Sequence, residues 1–395
     1  MLTDLRQSEI IENCRILVRE KSYSGKEASV AEAIKAMMAR YGFDEIAVDR
    51  YGNVVGGIVG RLPGRTILFD GHIDTVPVDE ASWTRQPWGA EVADGRIYGR
   101  GTSDMKGAVA AMISACGFFA QDHKRDFAGK IYISCVVHEE CFEGVAARLV
   151  SAKYRPDYVV IGEASELNLK IGQRGRAEIV VETFGKPAHS ANPDAGINAV
   201  YKMARLIDAI HALKPPCDRV LGRGILELTD IKSAPYPGAS VVPEYCRATY
   251  DRRLLVGESP ASVLEPLQRI IEDLAKTDPD FKAAVSFAHG RETCYTGTLI
   301  ESDRFFPGWA YDEGDEFVRL ALAGLRSAGI DPAITQYSFC TNASHYAGEA
   351  GIRTVGFGPS RETLAHVIDE YIEIPQLVGA AQGYYGMMRS VCSGL

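Results

Sequence analysis

The sequence lacks an apolar run long enough to cross a membrane, and it lacks any excess of basic residues. Its 395 residues carry a formal net charge of −9, so neither nucleic acid nor an anionic membrane is expected as a partner. The first residues, MLTDLRQSEIIENC, contain no apolar segment of the kind found in secretory signals.

Clustered cysteines are missing as well. The nine cysteines are scattered singly, and none forms a C-x-x-C motif. An odd, unclustered set of this kind indicates reduced thiols, and we therefore expect a cytoplasmic location.

The length and the apolar pattern predict two domains. A chain of 395 residues exceeds the size at which one hydrophobic core usually stops growing. Continuous β-branched or apolar runs at residues 67–69, 131–137 and 158–161 predict strands of an α/β domain that are buried on both faces. Residues 176–289 instead follow the order β-α-β-β-α-β, which is the ferredoxin-like plan. We expect an α/β domain with a central mixed sheet (1–175 and 290–395), interrupted by an α+β domain (176–289).

Two local patterns give further expectations. Ser24 and Glu27 are spaced like a capping box at the start of a helix. Residues 290–312 are rich in aromatic side chains but show no helical or strand period, so we expect an irregular segment there.

Acidic and imidazole side chains follow several of the predicted strands. His72 and Asp74 end the first strand, and a carboxylate two residues away can hold the second ring nitrogen of a metal-bound histidine. The other such positions are Asp104, the pair Glu139-Glu140, Glu163 and His366. Because open α/β sheets place their sites at the carboxyl ends of strands, we expect these side chains to meet. Two histidines and three carboxylates, one of them bridging, suit a pair of zinc ions.

Each of these residues also has a purely structural interpretation. A His-x-Asp pair is more often satisfied within the fold, and an adjacent pair of glutamates usually begins a solvated helix. The pair at 139–140, however, ends a buried strand, where two carboxylates repel each other unless a cation lies nearby. Without a metal site, each of these residues would need its own structural explanation at the same time. We therefore prefer the metal site.

The motifs resemble those of the M20 family of dinuclear zinc amidohydrolases and peptidases, which includes acetylornithine deacetylase and succinyl-diaminopimelate desuccinylase. The matching segments are GHIDTVP at 71–77, GRGTSDMKG at 99–107, the glutamates at 139, 140 and 163, GKPAHS at 185–190 and AH at 365–366. The segment GFGP at 356–359 further resembles a branch of selenium-metabolism-linked hydrolases.

The resemblance implies a role for each matching residue. His72 and Glu163 would bind one zinc ion, Glu140 and His366 the other, and Asp104 would bridge them. Asp74 would orient His72. The peptide bond after the bridging aspartate is often cis in the family, so we expect a cis bond between Asp104 and Met105. The resemblance implies two Zn²⁺ per subunit, with Co²⁺ or Mn²⁺ as alternatives.

The resemblance also implies the catalytic chemistry. Glu139 would act as the general base toward a metal-bridged hydroxide, taking the proton of the water and returning it to the leaving amine. His189 would stabilise the oxyanion in the active site of a partner subunit. The inserted domain would thus be a lid and a dimerisation domain, and the protein a homodimer.

The expected substrate is an N-acyl amino acid or a small peptide. Glutamate at position 163 favours a deacylase or carboxypeptidase. Arg252, at the end of a strand in the inserted domain, could clamp a substrate carboxylate bidentately. Ser240 and Asn342 differ from the residues usual in the family at positions that approach the substrate. The identity of the substrate therefore does not follow from the resemblance.

Two other classes of protein share part of this pattern. A metal-binding homologue without catalytic activity, with a regulatory or carrier role, would be expected to have lost a ligand or Glu139, yet all are present. A nucleotide-binding α/β protein is disfavoured, because GRG at 99–101 lacks the third glycine of the dinucleotide-binding fingerprint.

Overall fold

The computed structural model describes residues 3–392, and the chain divides into two compact units. The first unit contains the chain up to Gln173, the segment Arg291–Ser302, and the chain from Ala310 onward. The second contains Arg174–Gly290 and Asp303–Trp309. The sequence placed this last segment in the first unit, but its strand at Phe305–Phe306 pairs with Arg176 and Ala177.

The helices are α1 (Asp4–Arg19), α2 (Ala28–Arg40), α3 (Gly107–His123), α4 (Ala147–Tyr154), α5 (Ala199–His211), α6 (Pro260–Thr277), α7 (Glu316–Ser327) and α8 (Ile374–Cys392). The strands are β1 (Glu45–Val48), β2 (Val54–Val59), β3 (Leu62–His72), β4 (Glu91–Ala93), β5 (Arg96–Tyr98), β6 (Ala128–Val136), β7 (Tyr158–Ile161), β8 (Leu169–Gln173), β9 (Gly175–Phe184), β10 (Cys217–Asp218), β11 (Gly222–Arg223), β12 (Ile225–Ala234), β13 (Tyr245–Leu254), β14 (Lys282–Phe287), β15 (His289–Thr293), β16 (Leu299–Asp303), β17 (Phe305–Phe306), β18 (Trp309–Ala310), β19 (Ile334–Tyr337), β20 (Arg353–Gly356) and β21 (Tyr371–Glu373).

The first unit is built on a mixed sheet. Its strands lie in the order β1-β2-β6-β3-β7-β20-β8, and β19 pairs in parallel with β8. The central strands β6, β3, β7 and β20 are parallel to one another, whereas β2 is antiparallel to β6 and β8 to β20. The apolar runs predicted as strands lie in this parallel centre and are buried, as their β-branched composition requires.

The register of the parallel strands fixes where the site can form. His72 on β3 pairs with Val136 on β6, and Asp70 on β3 pairs with Ile161 on β7. These strands therefore end at nearly the same level. The residues that follow them emerge together at the carboxyl edge of the sheet.

The helix α3 follows the Asp104 turn and is buried along most of its length, because apolar and small residues occupy all its faces. It packs between α1 and α8. Among residues 3–392, the structure contains no helix that is both long and apolar enough to span a bilayer.

The second unit has a sheet in the order β12-β13-β9-β14, with every neighbouring pair antiparallel. The helices α5 and α6 contribute Met203, Leu206, Val263 and Leu267 to a core with Ile179 and other apolar residues of the sheet. This order along the chain and across the sheet is the ferredoxin-like plan. The predicted fold class, a mixed α/β domain interrupted by an α+β domain, is confirmed.

The prediction of an irregular segment at 290–312 was wrong, because β15 to β18 lie in this region. Along β16 the side chain of Ile300 is buried, whereas Leu299 and Glu301 are exposed. Because the exposed Leu299 is apolar like the buried Ile300, the residue types do not show this alternation of burial.

The predicted capping box at Ser24 and Glu27 was also wrong. Glu27 precedes α2 without making a side-chain cap, and its carboxylate instead accepts a hydrogen bond from the backbone N–H of Gly25 at 2.9 Å. The hydroxyl of Ser24 donates to the carboxylate of Asp74 at 2.7 Å. The contact of Ser24 is long-range, and sequence spacing alone does not reveal it.

Candidate metal centre

A first group contains His72 at the end of β3, Glu163 just after β7 and Asp104 in the turn before α3. The Nε2 atom of His72 lies 2.8 Å from Oδ1 of Asp104 and 3.5 Å from Oε1 of Glu163. The potential ligand atoms of this group all lie within 4.8 Å of one another. One imidazole nitrogen facing two carboxylate oxygens is a donor set that suits a divalent metal ion.

A second group contains Asp104 again, together with Glu140 and His366. The Nε2 atom of His366 lies 3.0 Å from Oδ2 of Asp104 and 3.0 Å from Oε2 of Glu140. Glu140 follows β6, and His366 lies in the loop after β20. The structure thus brings all five predicted ligands together within the first unit.

Asp104 belongs to both groups and presents a different carboxylate oxygen to each imidazole. It lies in a turn between β5 and α3, at residues Thr102–Lys106. The peptide bond between Asp104 and Met105 is cis, as the family resemblance implied. The geometry is that of a carboxylate able to bridge two ions.

The electrostatics of the site show why it suits cations. Burial, reinforced by repulsion from neighbouring carboxylates, raises the pKa of Glu163 to about 8 and that of Glu140 to about 7. Burial opposes ionisation of Asp104, yet hydrogen bonds with the two imidazoles lower its pKa below its usual range. Hydrogen bonds with Asp104 and Glu140 raise the pKa of His366 to about 10. Divalent ions would stabilise the ionised carboxylates and favour neutral imidazoles, so the residues present fit such ions.

Asp74 lies behind the first group. Its backbone oxygen is 2.8 Å from Nδ1 of His72, whereas its carboxylate oxygen Oδ1 is 3.6 Å away. The carboxylate instead accepts hydrogen bonds from the backbone N–H groups of Glu139 at 3.0 Å and Glu140 at 3.2 Å. The sequence predicted that the carboxylate orients His72. In the structure the carbonyl is the closer partner, and the carboxylate fixes the loop after β6.

Glu139 is buried beside both groups but belongs to neither. Burial raises its pKa well above the usual range, and repulsion from Glu163 and other nearby carboxylates acts in the same direction. A buried carboxyl group with a raised pKa can both accept and return a proton near neutral pH.

Two predicted substrate-binding side chains already have partners. The amide of Asn342 is buried, donates to Asp70 at 2.9 Å and accepts from the backbone N–H of Gly144 at 2.8 Å. In the second unit, the buried guanidinium of Arg252 is paired with Glu258 at 2.5 Å. Both side chains are thus used within the fold, and this geometry does not favour a role in binding substrate.

The remaining predicted residues, His189 and Ser240, are exposed in the second unit. The Nδ1 atom of His189 accepts a hydrogen bond from the backbone N–H of Ala191 at 3.0 Å. Ser240 has a positive φ of 56°, and its backbone oxygen accepts from the N–H of Ser190 at 3.1 Å.

Two residues beside the centre were missed by the sequence analysis. Ser24 donates to Asp74, and Glu370 is a fully buried carboxylate that contacts the Asp104 turn. Glu370 lies four positions after His366 in the sequence. An acidic residue just before a short strand gives no distinctive signal, because such residues are common in solvated loops.

Comparison with known proteins identifies the family. The model of peptidase family M20/M25/M40 matches residues 68–390, a span that includes all five predicted ligands. The chain belongs to this family, and it is a hydrolase of amide bonds.

Relatives match over nearly the full length. The chain is 31% identical over 385 residues to the uncharacterised protein YgeY of Escherichia coli (strain K12), covering 96% of this chain and 93% of that protein. It is 30% identical over 377 residues to succinyl-diaminopimelate desuccinylase of Cereibacter sphaeroides (strain KD131), covering 91% of this chain and 93% of that protein.

Solved structures share the fold. Aminopeptidase PepT of Bacillus cereus matches with a TM-score of 0.76 at 20% identity, covering 98% of both chains. The YXEP protein of Bacillus subtilis, described as a dinuclear metal-binding peptidase of the M20 family, matches with a TM-score of 0.73 at 16% identity, covering 98% of both chains.

Proposed function

We propose that the protein is a two-metal hydrolase that cleaves an amide bond in an N-acyl amino acid or a short peptide. His72 and Glu163 would hold one ion, Glu140 and His366 the other, and Asp104 both. The observation that carries this proposal is that Asp104 offers separate oxygens to the imidazoles of two ligand groups. We expect Zn²⁺, with Co²⁺ or Mn²⁺ as alternatives. Such ions supply Lewis acidity, which polarises the amide carbonyl and acidifies a water molecule.

Glu139 would transfer the proton. As the water oxygen bonds to the amide carbon, the carboxylate of Glu139 takes a proton from the water. It then returns this proton to the amide nitrogen, the C–N bond breaks, and the amine leaves. The support for this role is the position of Glu139 on the loop that Asp74 holds, beside the ligands but in neither group.

His189 would stabilise the negative charge that develops on the carbonyl oxygen. Because its Nδ1 accepts a backbone hydrogen bond, the proton of the neutral ring lies on Nε2. This leaves an exposed N–H donor that suits an oxyanion. Following the family resemblance, we place this donor in the site of a partner subunit.

A homodimer would form through the second unit, which would also act as a lid. The strand β12 lies at one edge of its sheet and is exposed over much of its length. Two of its apolar side chains, Ile225 and Ile231, are 42% and 48% exposed. An edge strand with exposed apolar residues is available for pairing with a second copy.

Candidate substrates follow from the relatives. Because relatives 30% identical to this chain are named succinyl-diaminopimelate desuccinylases, an N-succinyl amino acid is the first substrate to test. N-acetyl and N-carbamoyl amino acids and dipeptides complete the panel. Hydrolysis of none of these by the zinc-loaded protein would contradict the proposed substrate class.

The role of Glu139 is tested with Glu139→Gln, which keeps the size of the side chain but removes the base. We expect turnover to fall by about 10²–10⁴-fold with both metal ions still bound. Glu349→Gln is the control, since it removes a carboxylate of the first unit that is paired with Arg148 rather than with the site, and it should keep turnover within a few-fold. Retained turnover in Glu139→Gln would refute the assignment.

The role of His189 is tested by mixing subunits. Glu139→Gln and His189→Ala proteins, each nearly inactive alone, are mixed under conditions that exchange subunits. In an equal mixture about half of the dimers contain one subunit of each kind. If His189 acts across the dimer, one of the two sites in each mixed dimer is intact, so the mixture should recover about a quarter of wild-type activity. A monomer by light scattering, or no recovery after verified exchange, would contradict this role.

A further inference from the structure

The turn that carries Asp104 rests on one buried carboxylate. Oε1 of Glu370 accepts hydrogen bonds from the backbone N–H of Ser103 at 2.7 Å and from that of Asp104 at 3.1 Å. Glu370 is fully buried. The backbone of the turn is therefore held at the residue that bridges the two ligand groups.

The other carboxylate oxygen of Glu370 is also occupied. Oε2 accepts a hydrogen bond from Nη1 of Arg100 at 2.6 Å, and both side chains are almost completely excluded from solvent. A buried ion pair of this kind holds its geometry firmly, because separating the partners leaves an uncompensated charge. The ion pair with Arg100 thus fixes the orientation in which the carboxylate of Glu370 faces the turn.

Glu370 also ties the turn to the segment that carries His366. Its backbone oxygen accepts from the N–H of Gly99 at 2.8 Å, and the hydroxyl of Ser103 donates to the backbone oxygen of Tyr371 at 2.6 Å. Tyr371 on β21 pairs with Tyr98 on β5. The segment with His366 and the turn with Asp104 are therefore connected by hydrogen bonds and by the pairing of β21 with β5.

We propose that Glu370 is a positioning residue for the metal centre. Its carboxylate holds the Asp104 turn so that both oxygens of Asp104 face the two ligand groups. Substitutions of residues that orient metal ligands typically reduce metal affinity by about 10–100-fold. Because Asp104 belongs to both groups, loss of this support weakens both metal sites together. The inference rests on the proposed two-metal function.

The test distinguishes the effect of losing the hydrogen-bond acceptor from the effect of losing the ion pair. Glu370→Gln combined with Arg100→Met removes both buried charges but keeps an amide oxygen that can accept from Ser103 and Asp104. Glu370→Leu combined with Arg100→Met removes the same charges and provides no acceptor. Any loss of stability from the missing ion pair is common to the two double variants.

Metal affinity is measured for both double variants by competition with a chromophoric chelator. We expect the Gln variant to stay within a few-fold of the wild-type protein and the Leu variant to lose about 10–100-fold at both sites. Glu349→Gln, which removes an ion-paired carboxylate elsewhere in the first unit, should leave metal affinity unchanged. Equal affinities in the two double variants would overturn the proposal.

Amide hydrogen exchange of the metal-free proteins gives a second readout. Exchange at Ser103 and Asp104 should be faster in the Leu variant than in the Gln variant, while exchange in α3 stays the same in both. Equal exchange at the turn would overturn the positioning role. If the wild-type protein bound no metal, the proposed function would fail, and the exchange experiment would still report on the support that Glu370 gives to the turn.

Discussion

The two halves of the candidate metal centre differ in how firmly the fold holds them. His72 ends the central strand β3, is 1% exposed, and has its Nδ1 atom bound to the backbone oxygen of Asp74. His366 lies in the loop after β20, and its side chain is 52% exposed. One half is thus built on the sheet and the other on a surface loop.

This difference predicts that the two halves differ in metal affinity and in access to solvent. Groups carried on strands are held more rigidly than groups on loops, so the His72 half is the more preorganised binding site. The His366 half is open to solvent, which leaves room for substrate to approach. We expect the ion in the His72 half to bind more tightly and to be the last removed by a chelator.

The largest effect is expected from Asp104→Asn, which alters the residue common to both halves. Activity should fall by about 10³-fold or more, because metal catalysis contributes several kcal/mol to lowering the barrier. Metal content should fall at both sites. Asp122→Asn, which removes a carboxylate paired with Arg6 at the end of α3 opposite to Asp104, is the control and should change neither quantity. Full metal content in Asp104→Asn would show that the halves do not share this residue.

A smaller effect should distinguish the halves from each other. His366→Ala should keep one ion per chain, since the buried His72 group remains intact. His72→Ala should reduce binding in both halves, because it removes a ligand of one half and also the buried ring that lies 2.8 Å from the shared Asp104 and limits how that carboxylate can turn. Elemental analysis after dialysis measures the difference. Equal metal loss in the two variants would contradict the proposed difference in affinity between the two halves.

The smallest expected effect concerns the pH dependence of stability and the carboxyl group of Glu27, which interacts with Asp74. Burial, together with repulsion from Asp74, raises the pKa of Glu27 to about 8 from its ordinary value of 4.5. The folded state therefore binds this proton more tightly than the unfolded chain. The stability of the metal-free protein should fall as the pH rises from about 4.5 through 8.

Glu27→Gln removes this titration and should reduce the dependence of stability on pH in that range, while the contributions of Glu140 and Glu163, whose pKa values are also raised, remain. Urea unfolding of the metal-free wild-type and variant proteins at pH 5 and pH 8.5 measures the change. An identical loss of stability in both proteins would show that Glu27 is not the group responsible.

The sequence could place the candidate ligands near one another for a physical reason. The ligands follow apolar runs that can only be buried strands, and parallel strands end at one edge of the sheet. His72 and Glu163 therefore had to lie close together once the strands were recognised. Even the remote His366 could be placed, because it follows the apolar strand β20.

The contacts that depend on tertiary partners could not be predicted. Asn342 was expected to face substrate, but a buried Asp70 and the backbone of Gly144 use both ends of its amide. Arg252 was expected to clamp a substrate carboxylate, and in the structure its guanidinium is paired with Glu258. Neither partner is detectable from local spacing, because each pairing depends on how the strands and loops pack.

The most direct test of the central claim is a calorimetric titration of the metal-free wild-type protein with Zn²⁺. A centre in which Asp104 joins two ligand groups should bind two ions per chain in two resolvable steps, the tighter step surviving in His366→Ala. Binding of a single ion, or of none, would contradict the account.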